Sequence, residues 1–179
     1  MKTFDLKVPA DKVRSFHKSA TPELKVIFEA SAPAGFFSQK VTERVRTYEA
    51  ACEENGELPI DEQAYRTFFR EQLTRQCFPA DRIDAEIHSK LCLIKMETIT
   101  RAWNSGKVAD WMNTDQRKYV PWFDASAGCA FYYTCCACSC ACAGGASRLC
   151  FIGENDDETR ARAAEAGKLF IEYYKGIIL

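Results

Sequence analysis

Ala130-Phe-Tyr-Tyr-Thr-Cys135-Cys136-Ala-Cys138-Ser-Cys140-Ala-Cys142-Ala-Gly144-Gly145-Ala-Ser147-Arg148-Leu-Cys150-Phe-Ile152 is the stretch on which the fold class turns. Gly144-Gly145 suits a two-residue hairpin turn, and the flanking residues 130–142 and 147–152 read as strands. In that register Cys142 faces Ser147, Cys140 faces Leu149 and Cys138 faces Phe151, while Cys150 faces Ser139 on the other side. Lys118-Tyr-Val-Pro-Trp-Phe123 supplies a third strand, which Pro121 confines to an edge or a bulge because it has no N–H to donate.

The cysteines in this stretch admit three chemistries. Seven of the ten lie between Cys129 and Cys150. Cys135-x-x-Cys138 has zinc-knuckle spacing, and Cys140 and Cys142 complete a candidate four-thiolate site. A regular strand opposes that reading. Same-face neighbours stand roughly 6.6 Å apart, whereas each thiolate must come within about 2.3 Å of a shared ion. The hairpin register instead makes Cys136, Cys138, Cys140 and Cys142 a column beside Leu149 and Phe151, in which thiols act as small hydrophobes. Packing is the expectation, zinc the alternative and the one cofactor the cluster suggests, and disulfides the third reading.

Outward from the hairpin the pattern is helical. Thr21-Pro22-Glu23 joins an N-cap residue, a proline at the first helical position and a first-turn acid, predicting about three turns from residue 22. Val41, Val45, Tyr48 and Cys52 form one stripe of a helix over 40–55 that stops at Gly56. Asp61 caps a third helix with Tyr65, Phe68, Phe69, Leu73 and Cys77 on its inner face. The fourth, over 81–104, carries Ile83, Ile87, Leu91 and Ile94 beside Cys92, Met96, Ile99 and Trp103, a face wide enough for the central helix of the fold. Asn155 to Glu158 matches a capping box, and Ala163, Ala166, Phe170, Tyr173 and Ile177 trace a last helix ended by Lys175 and Gly176. A short strand is expected at 3–8. These elements predict a single α+β domain over 1–179: a mainly helical part over 1–106, then a small three-stranded antiparallel sheet with a C-terminal helix packed on it over 107–179.

Composition bounds the function. At 179 residues the chain can bury a core without staples. Its 24 Lys and Arg against 25 Asp and Glu provide no basic field for bulk nucleic-acid binding. Lys12, Arg14 and Lys18, and Arg44 with Arg46, read as solvated helix faces. No 18-residue apolar run is present and residues 1–7 do not resemble a secretory signal, so a cytoplasmic protein without a membrane span is expected. Phosphate-loop, dinucleotide, zincin and serine-hydrolase motifs do not occur, which favours a non-enzymatic reading with no catalytic residue assigned. His88, beside the core stripe of the fourth helix, needs a partner before it means anything chemical. Trp111, Tyr119, Trp122 and Asp124, with Arg148 from the opposing strand, form the candidate ligand-binding face, since aromatics beside an acid and a guanidinium stack on bases or anchor partners.

Several segments occur together in a familiar order: Val41-Thr-Glu-Arg-Val-Arg-Thr-Tyr-Glu-Ala-Ala-Cys-Glu53, Ile99-Thr-Arg-Ala-Trp-Asn-Ser-Gly106, Ala109-Asp-Trp111, Lys118-Tyr-Val-Pro-Trp-Phe-Asp124, Ser147-Arg-Leu-Cys-Phe151 and Ala166-Gly-Lys-Leu-Phe-Ile-Glu-Tyr-Tyr-Lys175. In these the chain resembles a family of small uncharacterised proteins of Bacteroidetes phages and prophages, over roughly residues 38–177. The resemblance implies a mobile-element origin and a bacterial host cytoplasm, and it brings no catalytic residue or cofactor. The expectation is a phage accessory protein that binds a host protein or a small ligand, a nucleotide signal of host defence among them, through the aromatic sheet region. A zinc-binding interaction module and a virion or assembly component, the latter a homo-oligomer, are the alternatives.

Overall fold

The computed structural model describes residue 8 and residues 10–110, 112–113, 115–121 and 149–178. Among the described residues eight α-helices run in the order α1 Ala10–Ser19, α2 Pro22–Ser31, α3 Val41–Arg44, α4 Tyr48–Asn55, α5 Glu62–Arg75, α6 Ile83–Trp103, α7 Asp156–Leu169 and α8 Ile171–Ile178, with a 3-10 turn at Ala80–Arg82 leading into α6. Among the described residues the fold is all-α, with no strand longer than a single bridge, and the predicted three-stranded sheet is corrected. Among the described residues the only β pairing is one antiparallel bridge, in which Tyr119 N donates to Phe151 O at 2.9 Å and Phe151 N to Tyr119 O at 2.7 Å. The expected strand at 130–142 lies outside the described residues, as do residues 3–7 of the one expected at 3–8, residues 122–123 of the one at 118–123 and residues 147–148 of the one at 147–152.

Local chemistry explains why the bridge does not extend. Pro121 has no N–H with which to continue the ladder. The groups flanking Phe151 point away from Tyr119, and on that edge a side chain takes them: Asn104 Nδ2 donates to Cys150 O at 2.9 Å and its Oδ1 accepts from Ile152 N at 3.1 Å. One buried amide thus does the work of a neighbouring strand. Asn104→Ala is expected to cost about 1–3 kcal/mol, because it leaves buried backbone groups without partners; urea unfolding of the two proteins measures it.

α6 is the central helix, as its broad apolar face predicts. Its first half packs Ile83, Ile87 and Leu91 with Leu73 of α5. Its second half packs Met96, Ile99, Ala102 and Trp103 with Val45, Tyr48, Ala51 and Cys52, with Tyr119, Leu149 and Phe151, and with Ala163, Ala166, Phe170 and Tyr174. Residues before and after the undescribed 122–148 therefore share one core. Lys95, from the middle of α6, ties three neighbours together: it pairs with Glu62 of α5 and lies 5.4 Å and 5.3 Å from the ring centroids of Tyr48 and Tyr173.

Two predicted helices are each divided. The helix expected over 40–55 breaks at Val45, and Thr47 restarts it by accepting from Ala50 N at 3.1 Å. The predicted stripe survives the break, with Val45, Tyr48 and Cys52 all buried. The break also frees the Val45 carbonyl, which accepts from Trp103 Nε1 at 2.9 Å. At the C-terminus Phe170 separates α7 from α8. The caps read from sequence are present at Asp61, which accepts from Ala64 N at 3.0 Å, and at Asn155, which accepts from Glu158 N at 3.1 Å. Phe68 and Cys77, expected on the inner face of α5, are exposed; Cys77 lies past the helix end with a left-handed φ of 55°. Gly176 does not end the last helix but lies within α8.

Candidate functional site

Between the start of α6 and α8 the surface is hollowed into a groove of about 450 Å³. The hollow exists because short residues line it: Ala85 and Ser89 are one turn apart on α6, and Gly176 faces them from α8. Phe78 and Arg82 also line it, and Lys175 and Ile177 do so from α8. Gly176 is required by close approach. A Cβ there would lie 2.5 Å from Cys92 Sγ and 2.8 Å from His88 Nε2.

His88 and Cys92, four apart on α6, form the partnership that sequence reasoning left open for His88. Cys92 Sγ stands 3.6 Å from His88 Nε2. Burial pushes the Cys92 thiol up from its ordinary value, so the sulfur stays protonated at neutral pH and is a poor nucleophile. The two side chains stand within hydrogen-bonding reach, with His88 itself exposed at the groove. Both acids of the groove already have cationic partners: Glu86 with Lys90 at 2.9 Å and Glu172 with Lys175 at 2.8 Å.

A second cluster joins charges that the sequence reading placed in solvent. Glu54 is buried on α4 and accepts from Arg14 Nη1 of α1, from Arg44 Nε at 3.1 Å and from Arg44 Nη2 at 2.7 Å. Arg14 Nε also donates to Phe36 O at 3.0 Å, its guanidinium lies 4.2 Å from the Phe36 ring centroid, and Arg44 Nη1 donates to Gln39 O at 2.8 Å. Burial alone would raise the Glu54 carboxyl, but hydrogen bonds and charge from Arg44 and Arg14 outweigh it and hold the group below its usual range. Its donors are spent on internal partners, so the cluster fastens α1 to α4 and offers little to a ligand. Of the basic residues expected on solvated faces, Lys12 and Lys18 are exposed, and Arg46 pairs with Glu165 at 2.7 Å.

Of the residues predicted for ligand binding, Tyr119 alone is among the described residues. Tyr119 is 1% exposed and packs in the core, where its ring cannot stack on a ligand. Trp111, Trp122, Asp124 and Arg148 lie outside the described residues, as do Cys135, Cys138, Cys140 and Cys142 of the candidate zinc site. Cys150 is buried, and desolvation raises its thiol. Among the described residues no group of three or more His, Cys, Asp or Glu side chains is gathered as metal ligands would be, and no helix is long and apolar enough to cross a membrane.

The groove escaped the sequence reading because its parts lie far apart in the chain and Gly176 looked like a helix stop. The spacing of His88 and Cys92 was the one legible signal. No protein family, no curated protein and no solved structure matches this chain.

Proposed function

We propose that this chain is a non-catalytic binding protein that takes a small ligand in the groove between α6 and α8. The observation that supports this reading is the groove itself: about 450 Å³, within the roughly 300–1,000 Å³ of small-molecule sites, with hydrogen-bonding side chains at Arg82, His88, Ser89 and Lys175 beside the apolar Phe78 and Ile177. The protonated state of the Cys92 thiol favours binding over nucleophilic chemistry. A mobile-element origin, implied by the motif resemblance, belongs to the same proposal, and the ligand-binding role moves from the aromatic sheet region to this groove.

The test is a screen of small polar metabolites against isotope-labelled protein, followed by amide resonances, with Ser89→Trp as the variant that fills the groove. Binding compounds are expected to move the amides of Ala85, Ser89 and Gly176 in the wild type and to lose at least about tenfold in affinity against Ser89→Trp, the effect of about 1.4 kcal/mol. Circular dichroism establishes that the variant is folded. Ligands that move only amides elsewhere, or that bind Ser89→Trp equally well, would overturn the proposal.

A further inference from the structure

The charges around the groove are not evenly cancelled, and the imbalance names a ligand class. Glu86 is neutralised by Lys90, which stands outside the lining, and Glu172 by Lys175. Arg82 makes no ion pair among the described residues; its backbone N–H bonds to Pro79 O at 3.0 Å and its side chain is exposed. A guanidinium left over in a concave site is a receptor for an anion, because its planar fork matches a carboxylate or phosphate with two parallel hydrogen bonds. His88 adds a second donor. Its Nε2 is the atom beside Cys92 Sγ, which leaves Nδ1 as the ring nitrogen for a ligand. Ser89 Oγ–H, one residue along α6, is a third.

The apolar part of the lining lies beside this donor set. Phe78 is half-buried against the Ile83, Ile87 and Leu91 cluster and also lines the groove, four residues before Arg82. Only Pro79 separates Phe78 from the 3-10 turn at Ala80–Arg82, and both Phe78 and Arg82 line the groove. A ligand with a flat ring against Phe78 and an anionic group at Arg82, His88 and Ser89 satisfies both parts at once.

Resting on the reading of the groove as a ligand site, we infer that its ligand is a small organic anion, a flat ring bearing a phosphate or carboxylate, with Arg82 as the anion-binding residue. The experiment titrates the labelled full-length chain with four probes: adenosine monophosphate, adenosine, inorganic phosphate and spermidine. Adenosine monophosphate is expected to move the Ala85, Ser89 and Gly176 amides with at least about tenfold higher affinity than adenosine, the size of one charge-assisted hydrogen bond. Inorganic phosphate should move the same amides more weakly. Arg82→Ala should remove the preference for the monophosphate over adenosine, whereas Arg75→Ala, at an exposed arginine outside the groove, should leave it unchanged.

Groove amides that respond to adenosine or spermidine as strongly as to the monophosphate would keep the groove as a ligand site and overturn the anion assignment. A preference that persists in Arg82→Ala would overturn the assignment of that residue. If no probe moves a groove amide, the site and the ligand class both fall.

Discussion

Trp103→Ala is expected to lower the stability of the chain by about 3–5 kcal/mol, the range for truncating a buried large aromatic. The indole is fully buried at the end of α6, 6.0 Å from the Phe151 ring and 5.6 Å from the Phe170 ring between centroids, so its removal empties the place where α6, α7 and the Tyr119–Phe151 bridge meet. It also takes away the hydrogen bond to Val45 O, leaving the carbonyl exposed by the helix break without its donor. Trp103→Phe keeps much of the volume and loses only the donor, and should cost markedly less. Urea unfolding followed by circular dichroism compares the three proteins, and equal losses for Ala and Phe would show that the hydrogen bond, not the packing, dominates.

Glu54→Ala is expected to cost about 3 kcal/mol, the low end for removing one partner of a buried ion pair. The low end applies because the Arg14 and Arg44 side chains keep 13% and 16% of their exposure and can draw in water once the carboxylate is gone. The same cluster makes stability depend on acid. The folded-state carboxyl titrates below its unfolded value of about 4.3, so its contribution is complete above that value and is lost as pH falls through the lower, folded one. Glu54→Gln cannot titrate. The stability gap between wild type and Glu54→Gln should therefore be widest near neutral pH and shrink below about pH 4. A gap constant from pH 7 to pH 3, read from urea midpoints, would show that the two arginines do not hold the carboxyl ionised.

These two sites show where the sequence was informative. Periodicity found the α6 face, the cap at Asp61 and the Val45, Tyr48 and Cys52 stripe, because each depends on neighbours within a few turns. It did not find the Glu54 cluster. A carboxylate on α4 meeting arginines from α1 and α3 has no local signature, and a charged run on a helix face looks the same whether it meets water or a buried partner. The sheet failed for a related reason. Tyr119 and Phe151 do pair, as β-prone segments should, but among the described residues the pairing is one bridge: Pro121 has no N–H to continue it, and a distant amide, Asn104, takes the groups on the far side of Phe151 where a further strand would pair. Pattern reading weighs a strand's own residues and not the side chains that compete for its backbone. The groove was hidden in the same way, through a glycine whose reason is a cysteine and a histidine on another helix.

The Tyr119–Phe151 bridge also has a topological consequence. It closes the chain on itself just before residue 122 and just after residue 148, and Asn104 holds the returning strand of backbone to the end of α6. The bridge and the Asn104 bonds therefore hold residues 119 and 151, which are 32 positions apart in the chain, beside one another and beside the end of α6. Two sequence-distant parts of the helical body are thus fastened by backbone hydrogen bonds, which fix their register as well as their contact, where side-chain packing alone would fix only the contact.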